Sequence, residues 1–396
     1  MNNNQQLTIG LFGFGVVGEG IYRVLQQTPT LNAVIKKICI RHADKERNAP
    51  ADLFTTNADE LLNDDTINVI VELIDDADAA YKIVLKAFEK NKAVVSANKK
   101  MIAEHLQELL ALQKNNKLSF LYEAAVCGSV PVIRNLEEYY DNDLLSSFSG
   151  IINGSTNYIL TRMSEDRLDF NDALKQAQEL GFAESNPALD VEGIDAANKL
   201  SIVLQHAYGI TCGPADFIHK GITAINPIDT RYAEEKGYRI KLVARAGHSG
   251  DNKITAYVLP AFVSNNSQLY NVRNEFNGAL IGSKLADEQF LYGKGAGRYP
   301  TSSAVLSDIA ALRYGYKYEY KKTYSNADYS LSNNSEVKVY LSYSNSSDID
   351  ENDFLKIEES YSNHQRKYLI GYINLETLGR AAWKNNSNVS LIVFND

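Results

Sequence analysis

The residues Gly13-Phe14-Gly15-Val16-Val17-Gly18 have the spacing of a turn that cradles a pyrophosphate. Gly13 permits the tight turn, Gly15 lets the main chain approach the phosphates, and Gly18 lets a helix pack closely on a strand. A helix starting at Val16 aims its first amides, that of Val17 among them, and the positive end of its dipole at the ligand. The plainer reading is a glycine turn with no ligand. The strand-like residues before the turn and helix-like residues after it favour a dinucleotide. About 20 residues further on, an NAD-preferring site usually carries an acid. This chain instead has Arg41-His42, with Lys45 and Arg47 close behind. Arg41 suits a 2′-phosphate and so points to NADPH, with NADH still possible; the alternative is a group of solvated loop charges.

Two further sets of residues carry chemistry. Asp195 and Lys199 are four apart at the start of an amphipathic segment continuing through Leu200, Val203 and Leu204, so they share one helix face. If partly buried, the acid fixes the ammonium for proton transfer and carbonyl polarisation; an ordinary surface pair has the same spacing. Glu184 and Asp190, in the Pro-containing loop before it, can receive a substrate ammonium. Lys99, in Ser96-Ala97-Asn98-Lys99-Lys100, falls at the C-terminal end of a predicted strand, the edge where open α/β sheets bind ligands; a surface lysine is equally compatible.

The elements that must hold these residues alternate in type. Leu7–Phe12, Ile35–Ile40, Val69–Ile74, Ala93–Ala97 and Leu118–Val126 read as strands; Val16–Gln27, Ala77–Lys90 and Lys100–Gln113 read as helices, with Ile21, Val24 and Leu25 on one face of the first. Residues 1–130 are therefore expected to form an α/β, Rossmann-like nucleotide-binding domain, with a helix at about 300–318 returning to it. Residues 131–299 read as an α+β domain with a mixed sheet, including strands Phe148–Ile152, Ile240–Ala246 and Ile254–Val263. A Ser-, Asn- and Asp-rich stretch sets a boundary near 325. Beyond it, 325–396 reads as a small α/β module, ACT-like in its alternation, with a helix at Glu351–Ser360. The alternating Tyr314, Tyr316, Tyr318 and Tyr320 read as one face of an edge strand.

Composition narrows the partners. Forty Lys plus Arg against 49 Asp plus Glu give a net charge of −9, which disfavours nucleic acid. No stretch is long and apolar enough for a membrane span, and no secretion signal precedes Leu7. Cys39, Cys127 and Cys212 lie too far apart in the chain for a paired framework, so a cytoplasmic protein is expected.

Taken together, the glycine loop, Ser96–Lys99, Glu123–Pro131, Gly154-Ser155-Thr156-Asn157-Tyr158-Ile159-Leu160, Gly181–Lys199, Gly293-Lys294-Gly295-Ala296-Gly297 and Pro300–Val305 occur in the order seen in homoserine dehydrogenases. The chain resembles that family from residue 7 to about 315. The resemblance implies reversible reduction of L-aspartate 4-semialdehyde to L-homoserine with NAD(P)H, in threonine and methionine biosynthesis. It implies Lys199 as proton donor to the aldehyde oxygen, Lys99 as a second lysine beside the substrate, and Glu184 and Asp195 as homoserine ligands. Gly181, Gly295 and Gly297 are implied as main-chain cofactor contacts. Glu123, Val126, Gly128 and Val130 are implied as a site for a monovalent cation such as sodium, whose oxygen ligands are mostly carbonyls. The second domain is implied to form a dimerisation surface, making a homodimer or higher homo-oligomer. Ile74-Asp75-Asp76 departs from the Gly pair usual at that place, and residues 320–396 are unlike the usual regulatory extension. Two rivals remain: a phosphorylating semialdehyde dehydrogenase using Cys127 as nucleophile, and a non-catalytic NADPH sensor.

Overall fold

The computed structural model describes residues 6–142, 144–324, 328–363 and 367–395. The chain divides into two compact units, Met1–Tyr139 with Lys294–Lys321, and Tyr140–Gly293 with Lys322–Asp396.

The first unit begins β1 (Leu7–Phe12), α1 (Val16–Gln27), β2 (Ala33–Cys39), β3 (Phe54–Thr55), α2 (Asp59–Leu62), β4 (Val69–Glu72), α3 (Ala77–Glu89), β5 (Ala93–Ser96), α4 (Lys99–Asn116), β6 (Phe120–Leu121), α5 (Ala124–Cys127) and α6 (Val132–Arg134). Its six parallel strands lie in the order β3-β2-β1-β4-β5-β6, the doubly wound order of a dinucleotide-binding sheet. Strands β4 and β5 are buried at every residue, as a parallel sheet covered on both faces requires. Asp76 and Asn98 cap α3 and α4 through their side chains. The strand expected at Leu118–Val126 is cut to Phe120–Leu121, because Tyr122 O accepts from the Ala125 amide at 2.9 Å and turns the chain into α5. The run is apolar because it is buried, not because it is extended.

The second unit runs β7 (Leu145–Ile151), α7 (Gly154–Glu165), α8 (Phe170–Glu179), α9 (Ala188–Val191), α10 (Ile194–Tyr208), β8 (Ile218–His219), α11 (Pro227–Glu235), β9 (Tyr238–Gly250), β10 (Lys253–Ser264), β11 (Phe276–Ser283) and β12 (Asp287–Lys294). The chain then contributes α12 (Arg298–Leu312) to the first unit, where Ser302 Oγ donates to Val17 O at 3.2 Å. Tyr316 to Tyr320 form no strand. Tyr318 and Tyr320 instead lie buried in the first unit, with Gln113 Nε2 donating to Tyr318 O at 2.7 Å and the Tyr122 and Tyr320 hydroxyls 2.9 Å apart. An alternating pattern here reflects a buried extended strap without a ladder partner.

The last elements are β13 (Ser330–Leu331), β14 (Glu336–Tyr343), β15 (Lys356–Ser362), β16 (Lys367–Asn374), α13 (Leu375–Arg380) and β17 (Ser390–Phe394). The boundary expected at 325 does not separate a third unit: β17 pairs in parallel with β10, and the path β12-β11-β7-β9-β10-β17-β14-β16-β15 is one mixed sheet. A single core joins Leu259, Ala261 and Val263 to Val339, Leu341 and Leu391. The tail strands keep the order of a split βαββαβ motif, with 3-10 turns at Ser346–Asp348 and Glu351–Asp353 where its first helix would be. The helix expected at Glu351–Ser360 is instead a 3-10 turn followed by the start of the edge strand β15, all of whose residues are exposed. Pairing with β16 decides its conformation there, and its charged residues carry no period of either kind. Asp229 on α11, wholly buried, accepts from Ser342 Oγ at 2.6 Å and from the Tyr340 hydroxyl at 3.2 Å, tying α11 to β14.

Candidate active site

In the first unit the glycine turn leaves β1 and enters α1. Gly13 has φ +92°, and a Cβ there would lie 2.6 Å from Leu73 O; a Cβ on Gly18 would lie 2.3 Å from Gly13 O. Gly15 has open space where its Cβ would be, and it precedes α1 without a side-chain cap. The first amides of α1, Val17 included, have no partner within the helix. These residues fit a pyrophosphate: the turn is held by close main-chain packing, and the one glycine with no steric need for its type is the one a phosphate would approach. Arg41 Nη2 lies 3.2 Å from Asp76 Oδ2, and both side chains are exposed. Arg47 is turned onto its own loop, donating to Lys45 O and His42 O.

At the ends of β4 and β5 a buried carboxylate organises the approach to Lys99. Glu72 accepts from the Ile74 amide at 2.7 Å and from Ser96 Oγ at 2.5 Å. Ser96 Oγ accepts from the Asn98 amide, and Asn98 both caps α4 and donates to Ile74 O at 3.0 Å. Lys99, the first residue of α4, is therefore fixed at its backbone and partly exposed at its side chain. Burial, with a smaller push from Asp75, raises the Glu72 carboxyl to about 7.

The loop after β6 packs on the segment leading to α12. A Cβ on Gly128, at φ +54°, would lie 2.3 Å from Gly295 O, and Ser129 N and Oγ donate to Lys294 O at 3.1 and 3.0 Å. Gly297, at φ +118°, precedes α12. The Glu123 carboxylate accepts from the amides of Ile133 and Arg134 at 2.9 and 2.8 Å, and burial with the nearby Asp308 charge raises it to about 8. It caps α6, so its side chain does not fit a cation ligand; the carbonyls of this loop are the donors suited to one.

The second unit holds the other charges. Lys199 Nζ lies 2.8 Å from Asp195 Oδ2 and donates to Ile152 O at 2.7 Å. Their side chains are 10% and 3% exposed, so this is no surface pair. Asn153 Nδ2 donates to Asp190 Oδ1 at 2.7 Å and to Asp195 Oδ2 at 2.8 Å, while its Oδ1 accepts from the Thr156 amide at 2.8 Å, capping α7. One amide thus separates two carboxylates and orients the one that holds the lysine. Such a cluster can present an ammonium to a carbonyl oxygen and a carboxylate to an amino group.

The structure brings Lys199, Asp195 and Asp190 together. It leaves Glu184 exposed, with only its carbonyl engaged, by Gln178, among the contacts seen there. Gly181, at φ +76°, ends α8. Asn153 escaped the sequence reading, although an Asn directly before Gly154-Ser155-Thr156 is a helix-cap signal. Cys127 is fully buried on α5, where a substrate has no path to its sulfur.

Comparison with known proteins follows the same division. The family profile "Homoserine dehydrogenase" matches residues 131–310, and that of the homoserine dehydrogenase NAD binding domain matches residues 13–123. The chain is 39% identical over 316 residues to a homoserine dehydrogenase of Helicobacter pylori, covering 78% of this chain and 74% of that protein. To the Bacillus subtilis protein of the same name it is 35% identical over 315 residues, 77% and 72% of the two chains. A homoserine dehydrogenase structure from Thiobacillus denitrificans superposes with TM-score 0.87 at 29% identity over 99% of both chains. A hyperthermophilic archaeal homoserine dehydrogenase in complex with NADPH superposes with TM-score 0.67 at 25% identity, over 79% of this chain and 99% of that one.

Proposed function

Because this chain belongs to the homoserine dehydrogenase family, and so is an oxidoreductase that converts L-aspartate 4-semialdehyde to L-homoserine with a nicotinamide cofactor, we propose that Lys199 is its general acid. The bound cofactor supplies the hydride. Two of the three donors of the Lys199 ammonium are committed to Asp195 and Ile152 O, which leaves the third for the aldehyde oxygen as charge builds there. Lys199 then gives up that proton to form the alcohol. Glu184, Asp190 and Asp195 receive the amino group of the substrate, and Asp195 also steadies the lysine. Lys99 is read as a second cation for the substrate.

The cofactor is read as NADPH, with NADH as the weaker partner. Gly13, Gly15, Val17 and Gly18 hold the pyrophosphate, and Arg41 takes the 2′-phosphate. Gly181, Gly295 and Gly297 add main-chain contacts. A monovalent cation such as sodium, where bound, takes carbonyl oxygens of the Glu123–Val130 loop, not the Glu123 carboxylate. The chain is further read as a cytoplasmic homodimer or larger homo-oligomer; no helix among the described residues is long and apolar enough to cross a membrane.

The observation that carries the mechanism is the buried contact of Lys199 with Asp195. Replacing Lys199 by Ala is expected to lower kcat by about 10²- to 10⁴-fold while cofactor affinity, measured by fluorescence titration, stays within about twofold. Near-normal turnover in Lys199→Ala would overturn the assignment.

A further inference from the structure

Arg41 and Asp76 come from the two strands that flank β1. Arg41 stands just past β2 and Asp76 just past β4, and both strands pair with β1. The glycine turn runs between them, with the Gly13 amide donating to Cys39 O at 3.0 Å and its Cα pressed against Leu73. The ion pair at 3.2 Å therefore spans the mouth of the crevice where this sheet order binds a dinucleotide. The acid is not a loose partner. Its Oδ1 accepts from the Ala79 amide at 3.0 Å as the cap of α3, and that hydrogen bond together with Arg41 holds its carboxyl below the usual range.

We infer that Asp76 is a determinant of cofactor selectivity, acting by occupying Arg41. The inference rests on reading Arg41 as the 2′-phosphate ligand. A 2′-phosphate must take the guanidinium from a carboxylate that the helix cap prevents from withdrawing, and it must then stand near that fixed negative charge. NADH makes neither demand, since its ribose hydroxyl can donate to a carboxylate. This chain therefore accepts NADH more readily than its Arg41 alone would dictate. The side chains are 71% and 46% exposed, so the effect is moderate.

The variant Asp76→Asn keeps a good helix cap and removes the charge. Steady-state kinetics with homoserine and each cofactor are expected to show KM for NADP+ falling about fivefold, an exposed-pair effect, with KM for NAD+ within about twofold. In Arg41→Ala, KM for NADP+ should rise, and adding Asp76→Asn to it should bring a smaller gain than in the parent chain. An unchanged NADP+ response in Asp76→Asn, while Arg41→Ala weakens NADP+, overturns the role of Asp76 alone. Equal shifts for both cofactors in Asp76→Asn overturn it as well, by marking the residue as a loop support. No NADP+ effect in Arg41→Ala overturns the phosphate reading beneath it.

Discussion

The cofactor crevice of the first unit and the charged cluster of the second are built on opposite principles. The crevice is made of main chain: glycines packed to within contact of carbonyls, helix amides, and one exposed ion pair between Arg41 and Asp76. The cluster is made of buried and half-buried side chains, in which Asn153 and Ile152 O bind Asp190, Asp195 and Lys199 in fixed positions. A main-chain site tolerates exposure because its donors cannot rearrange, whereas a side-chain site must be enclosed to hold its geometry and strengthen its charges. Substitutions in the two places should therefore fail differently.

The sharpest contrast after loss of Lys199 is expected at Asn153. Asn153→Ala leaves the buried Asp195 and the half-buried Asp190 without the amide between them. The kcat/KM for homoserine should fall about 10- to 100-fold, since a buried acceptor left without its donor costs about 1–3 kcal/mol, with cofactor affinity unchanged. A drop in cofactor affinity of similar size would mean that the two regions are not separable in this way. The reverse pattern is expected at Gly18→Ala, whose methyl would meet Gly13 O; overpacking costs about 1–3 kcal/mol, read as a tenfold or greater rise in KM for either cofactor and a lower Tm. Equal loss of affinity and unaltered Tm would indicate a phosphate clash, not packing strain.

A further contrast concerns pH. The folded Glu72 carboxyl lies at about 7, above its ordinary value near 4.5. The folded state thus holds a proton that the unfolded chain has released, and stability present at low pH is lost as pH rises from about 4.5 through 7. The unfolding free energy from denaturant titration should decline across that window in the intact chain, and Glu72→Gln should lessen the decline. An unaltered slope in the variant would assign the pH dependence to other groups.

The first region was legible in sequence because its requirements are local. Gly13, Gly15 and Gly18, a strand before them and a helix after them, occupy one continuous stretch, and each glycine answers to a steric need or an open approach. The second was legible only in part. The spacing of Asp195 and Lys199 places them on one helix face, but burial depends on β7 and α7, which lie some 40 residues earlier in the chain. Asn153 acts on residues 37 and 42 positions away, a relation no local pattern contains. The same limit explains the tail. Its strands at Glu336–Tyr343, Lys367–Asn374 and Ser390–Phe394 match alternation and apolar content, yet nothing in that stretch announces that β17 is laid beside β10. Edge strand β15 and the buried tyrosine strap at 316–320 were misread for the opposite reason: exposure gives no pattern, and alternation without a ladder gives a false one.

The placement of β17 also bears on shortened versions of the protein. A stop codon between the Ser- and Asn-rich stretch and Ser390 would strip β10 of its neighbour β17 and leave Leu259, Ala261 and Val263 without part of their cover. The exposed backbone would then be a template for intermolecular pairing. Chains cut short before Ser390 should accordingly yield insoluble product, with no active, merely unregulated enzyme recovered.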